Sequence, residues 1–125
     1  MYKVTIKDSS FSEMSKKERM MLCDMAGASK IDEVLNMVDE VTFKPTGYAV
    51  LEVHNDRSRG DKDYVKYLYI DADGNRYVSG SESLFTSFKY YFDEMQGESE
   101  DWAIAVTKQP SKNYSGKDFY TCYLV

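Results

Sequence analysis

Between positions 71 and 82, Asp71, Asp73, Asn75, Tyr77, Ser79 and Glu82 stand at the six liganding offsets of an EF-hand calcium loop. Asp71, Asp73, Asn75 and Glu82 would supply the strongest oxygen donors for a hard cation. Two features oppose that chemistry. The preceding stretch, YVKYLYI, is rich in Tyr, Val and Ile, which suit a strand better than the helix an EF-hand requires. The sixth loop position needs a positive φ, and Arg76 stands there in place of Gly. The same residues read better as a β-hairpin turning at Asp73-Gly74, followed by a capped helix. No metal or other cofactor is expected.

Other catalytic chemistry finds little support. The chain holds one histidine, His54, and no nucleophile elbow or Cys–His signature. No Gly-rich phosphate loop occurs, and Cys23, Cys122 and His54 are too few and too scattered for zinc. The carboxylates are many, but their spacing singles out no acid–base pair. A protein without enzymatic activity is the expectation.

The elements that must position any site follow from periodicity. Residues 2–7 alternate as a first strand, with Tyr2, Val4 and Ile6 on one face. A short helix is expected at about 15–26, opened by a Ser15–Glu18 capping box and ended by Gly27. Its Met20, Met21, Leu22 and Met25 read as a core-facing stripe. Strands follow at 34–44 and 48–54 around the Pro45-Thr46-Gly47 break, then a polar loop at 55–63. Strands at 64–71 and 75–78 flank the Asp-Gly turn. A long helix at about 81–96 is capped by Ser79 with Glu82 and closed by Gly97. Strands at 102–108 and 118–125 finish the chain. The pattern predicts an α+β domain spanning residues 1–125, a small, mostly antiparallel β-barrel carrying one long and one short helix.

With 125 residues, 42% of them hydrophobic, the chain can bury a core. No run approaches the ~20 apolar residues of a membrane span. The start, MYKVTIKDSS, reads as a strand and not as a signal peptide, so a cytoplasmic protein with reduced thiols is expected. The net charge of −5 is uneven: residues 70–101 hold eight acidic and two basic side chains. A basic surface elsewhere is therefore compatible with the acidic total.

Eleven of the eighteen aromatic residues are Tyr. In the last strand Tyr120, Cys122 and Leu124 make a core row, which leaves Phe119 and Tyr123 as exposed rings beside a Lys-bearing loop. Tyr64, Lys66, Leu68 and Ile70 alternate with Val65, Tyr67 and Tyr69, so both faces of that strand carry aromatics. Rings flanked by cations suit single-stranded nucleic acid, since bases stack on the rings and cations neutralise phosphates. The same tyrosines would also serve to fill a small barrel with their hydroxyls at its rim.

From Leu68 to Val125 the order is an apolar strand, the Asp73-Gly74 turn, Tyr77 and Ser79, a further Ser and a helix. A strand, a Lys/Ser/Gly loop (Lys112 to Lys117) and a final strand with Phe119, Thr121 and Leu124 complete it. This succession resembles the single-stranded DNA-binding proteins of tailed bacteriophages. The resemblance implies an oligonucleotide-binding-type (OB-like) barrel that coats displaced strands in the host cytoplasm during phage replication or recombination, without sequence preference or catalysis. Single-stranded DNA would be the partner, together with phage replication proteins, and no membrane. It further implies stacking by Tyr64, Tyr67, Tyr69, Phe119 and Tyr123. Phosphates would go to Arg57, Arg59, Lys66, Lys108, Lys112 and Lys117. A different expectation rests on Asp93, Glu94, Glu98, Glu100 and Asp101: a small acidic phage protein that mimics nucleic acid to inhibit a host DNA-binding or defence protein.

Overall fold

In the computed structural model, which describes residues 2–110 and 118–125, strands outnumber helices. In chain order the elements are β1 (Tyr2–Ser9), α1 (Lys16–Cys23), β2 (Ser29–Lys30), α2 (Ile31–Val34), β3 (Glu40–Phe43) and β4 (Pro45–Asn55). They continue as β5 (Asp63–Asp71), β6 (Arg76–Ser79), α3 (Glu82–Glu94), β7 (Ile104–Pro110) and β8 (Asp118–Leu124). The α+β class is as expected.

Two sheets form. One has the order β1-β4-β5-β6-β2, the other β3-β7-β8. The long strand β4 pairs antiparallel with β1 on one side and β5 on the other. Because both faces of β4 are covered, its sequence is nearly all apolar from Tyr48 to Val53. On one face of the larger sheet, Val4, Ile6, Ala49, Leu51, Leu68, Ile70 and Val78 meet Leu22 of α1. On the other, Tyr48, Val50, Val65, Tyr67, Tyr69 and Tyr77 meet Leu84, Phe88 and Phe92 of α3 and Ile104, Val106 and Cys122 of the smaller sheet. The larger sheet is thus the middle layer between α1 and a layer of α3 plus the smaller sheet.

The expected barrel does not close among the described residues. The chain leaves the smaller sheet at Phe43 and enters the larger at Pro45, where the register is irregular up to Gly47. Closure would need the outer edge of β8 to pair with a strand. Instead α3 lies along it: Ser83 Oγ donates to the Tyr120 carbonyl at 3.0 Å, and Ser87 shares a hydrogen bond with Thr121. At the far edge, β1 carries Lys3 and Lys7 and a register shift after Ile6, features that discourage further pairing.

Several boundaries also move. The stretch 34–44, expected as one strand, becomes α2, a turn and β3. Ile31 and Leu35 are buried while Glu33 midway between them is exposed, a pattern that a helical turn gives and an alternating strand does not. Helix α1 keeps its Ser15–Glu18 capping box but stops at Cys23, before Gly27, because Asp24 is extended and takes the Ala26 amide. Its methionines do not form a core stripe: Leu22 is buried, while Met20 and Met21 are exposed. The cap of α3 is Ser81, accepting from the Leu84 amide, whereas Ser79 accepts from the Ser81 amide one step earlier. Gly97, with φ of +81°, follows the helix as expected.

Candidate nucleic-acid interface

The expected calcium ligands do not converge. β5 and β6 pair as a hairpin, with Gly74 at φ +83° in the turn. Asp71 Oδ1 accepts from the Asp73 and Asn75 amides, and Oδ2 from Asn75 Nδ2 and the Tyr77 hydroxyl. The carboxylate is thereby committed to holding the turn. Strand β6 then separates Asp73 and Asn75 from Glu82, the first residue of α3. Arg76, placed where a calcium loop needs its glycine, is an ordinary strand residue.

The expected stacking rings fall into three environments. Tyr69 is 1% exposed, in edge contact with Phe88, and its hydroxyl has no hydrogen-bond partner among the described residues. Burial raises its pKa well above the ordinary phenol value. It belongs to the core and offers no face to a base. Tyr67 is half-buried and stacked on Phe85 at 4.6 Å, so one face is already used. The alternation of β5 was legible, but α3 covers the side that carries both rings.

Phe119 and Tyr123 are exposed, as expected, on the outer face of the smaller sheet. Register places Thr121, Thr107, Gln109, Ala105, Thr42 and Glu40 around them. Glu40 is the only charged residue among the described strand positions of this face, and it accepts from the Tyr123 hydroxyl. That hydrogen bond, ahead of partial burial, raises the Tyr123 pKa. Lys108, expected to take a phosphate here, lies on the opposite face across from Tyr120, where its ammonium donates to Asn36 Oδ1. Lys112 and Lys117 lie outside the described residues. Tyr90, not singled out from the sequence, is 63% exposed on α3, the helix beside β8.

Tyr64 and Lys66 sit on the other side of the larger sheet. The Lys66 ammonium lies 5.9 Å from the Tyr64 ring centre. Both line a concavity of about 670 Å³ at the end of α1, together with Tyr2, Cys23 and Lys30 and the acids Asp24, Asp32 and Glu33. Cys23 also lines an adjoining groove between α1 and β1, formed by Lys3, Val4, Thr5, Ile6, Lys16, Arg19 and Met20. The α1 contributors Lys16, Arg19, Met20 and Cys23 follow i, i+3, i+4, i+7 spacing, so one stripe of the helix faces the groove. That groove's lining holds three cations and no carboxylate. Arg76 braces the helix: its guanidinium donates to the Met21 and Leu22 carbonyls at 2.9 and 3.1 Å. Since α1 has no basic residue in its own last turn, Arg76 supplies the positive charge at its C-terminus.

Tyr2, Lys3, Lys16 and Arg19 were not among the expected site residues. The mixed cation–Met stripe of α1 was the available signal, masked by reading the methionines as core. Arg57 and Arg59 are exposed in the β4–β5 connection. Of the acidic 93–101 segment, Asp93 pairs with Lys89 and Asp101 with Lys44, so two of its five carboxylates are already neutralised. Cys23 and Cys122 are free and lie in different layers, and burial pushes the Cys122 thiol up to about 12. No helix among the described residues is long and apolar enough to cross a membrane.

Compared with known proteins, the chain matches no family model, no curated protein and no solved structure.

Proposed function

We propose that this chain is a non-catalytic phage protein that binds single-stranded DNA without sequence preference and coats it during replication or recombination in the host cytoplasm. The observation that carries the proposal is the groove along α1 and β1. Lys3, Lys16 and Arg19 line one stretch of it, and Tyr2, Tyr64 and Lys66 the adjoining one. Cations along a groove neutralise successive phosphates, and tyrosines give π-faces that every base can use. The acidic total of the chain does not oppose this, because the excess of acidic over basic side chains lies in residues 70–101.

Of the expected site, Tyr64 and Lys66 are retained, while Tyr67, Tyr69 and Lys108 are set aside. Phe119 and Tyr123 become a second, weaker surface. Strand coating of this kind does not require the closed oligonucleotide-binding-type barrel; an open groove floored by a sheet edge serves the same purpose. The resemblance to phage single-strand binders supports the reading at the level of motif order.

Fluorescence anisotropy of a labelled oligo-dT, titrated at two salt concentrations, is the test. Binding should weaken with salt, by a slope of about −0.7 per phosphate contact, and should exceed binding to duplex. A flat titration at low salt would overturn the proposal.

A further inference from the structure

His54 is the only histidine of the chain and stands near the end of β4, where the connection to β5 begins. Its Nδ1 lies 2.7 Å from Asp63 Oδ1 on β5, and its Nε2 lies 2.7 Å from Asp56 Oδ1 in the connection. A neutral imidazole has one N–H and one lone pair. Two ionised carboxylates at hydrogen-bond distance from both nitrogens therefore require the doubly protonated ring. The contacts join the first turn of the connection to the strand at its far end. Within that span Asn55 donates to the Lys62 carbonyl, Ser58 to the Asn55 carbonyl, and the Arg57 amide to Asn55 Oδ1.

We propose that the Asp56–His54–Asp63 bridge is a proton-operated latch that holds the first turn of the 56–62 connection, with Arg57, against the end of the larger sheet when His54 is charged and releases it when His54 is neutral. The inference is independent of the proposed DNA binding. The groups beside the imidazole are Asp56 from the connection, Asp63 from β5, Glu52 from β4 itself, where it pairs with Lys7, and Lys3 from β1 across the ladder. Lys62 is turned away, donating to the Asp56 carbonyl. Two carboxylates thus hold one imidazole, while Glu52 is paired with Lys7.

The hydrogen bonds from Asp63 and then Asp56 raise the His54 pKa above its ordinary value near 6.5, against a smaller lowering by desolvation. A raised folded-state pKa means the latch is complete below about 6.5 and is lost as pH rises through the folded value. Deprotonation removes one N–H, so one of the two carboxylate contacts must go. The Asn55–Lys62 backbone hydrogen bond still closes the base of the connection, and what is released is the side-chain hold on its first turn at Asp56.

A single histidine gives one unambiguous imidazole signal in NMR. Long-range 1H–15N spectra should show both nitrogens protonated at pH 6 and a midpoint above 6.5. Asp63→Asn and Asp56→Asn should each shift that midpoint down. Exchange protection at the Arg57 and Ser58 amides, corrected for intrinsic base catalysis, should fall across the same range while Leu51 and Leu68 stay protected. In His54→Gln, whose side chain carries no titrating charge, protection at Arg57 and Ser58 should be low at every pH. A midpoint at or below 6.5, or protection that does not change through the titration, would overturn the latch.

Discussion

The groove beside α1 and the outer face of the smaller sheet both present aromatic rings to solvent, yet they differ in what surrounds those rings. In the groove, Tyr64 has Lys66 near its ring, and Lys3, Lys16 and Arg19 line the adjoining wall. On the sheet face, Phe119 and Tyr123 sit among Thr, Gln and Ala, and Tyr123 is tied to Glu40. Ring exposure does not favour the groove, where Tyr2 is exposed but Tyr64 is half-buried. Charge separates the sheet face from the α1–β1 wall, which holds three cations and no carboxylate, whereas the concavity around Tyr64 also carries Asp24, Asp32 and Glu33. A polyanion gains from neutralised phosphates and loses beside a carboxylate. A ring next to a lysine and a ring next to a glutamate are different sites, even on strands of similar composition.

The largest effect expected of any test is on affinity. Lys16→Glu with Arg19→Glu should weaken oligo-dT binding by a factor on the order of 100 and reduce the salt slope by about 1.4, the share of two phosphates. Phe119→Ala with Tyr123→Ala should leave the slope unchanged. The opposite ranking in anisotropy titrations would move the site to the sheet face.

Next comes Arg76→Met, which removes the brace on the α1 carbonyls. Loss of hydrogen bonds from a charged donor should cost about 1–3 kcal/mol in urea unfolding. With α1 loosened, DNA binding should weaken more than that of a control core variant destabilised to the same extent. Equal weakening would detach α1 from the site.

Tyr64→Ala should cost about 1–3 kcal/mol of binding if one base stacks there, with little change in stability. Binding unaffected by this variant would leave the groove as a purely electrostatic track. The smallest effect is predicted at Tyr69→Phe, which removes a buried hydroxyl without a hydrogen-bond partner among the described residues. Stability should be unchanged or slightly higher, because no bond is lost and a desolvated polar group is removed. A loss above about 1 kcal/mol in urea unfolding would show that the hydroxyl has a partner after all.

Much of the local structure was legible because it depends on neighbours a few residues away. The Asp73-Gly74 turn, the Ser15–Glu18 capping box and the alternation of β5 and β8 all belong to that class. Where local signals competed, the reading slipped by a residue or two: Ser79 and Ser81 can each cap a helix beginning at Glu82, and only the path of β6 chooses between them. The stretch 34–44 failed for a related reason. Its apolar residues suit a strand or a helical turn, and exposure of Glu33 between the buried Ile31 and Leu35 favours the turn.

By itself, the sequence determined the element types outside residues 29–39, the hairpin that displaces a calcium loop, and which residues share a strand face, since backbone geometry and period-two alternation are properties of short segments. The tertiary structure alone decided which of those faces is covered. α3 buries Tyr69 and half-buries Tyr67, and α1 brings Lys16 and Arg19 beside Lys3, while Tyr64 lies some sixty residues from Tyr2 in sequence and lines the same concavity. Alternation names two faces of a strand, but only the packing of distant elements says which one meets solvent and which charges it finds there.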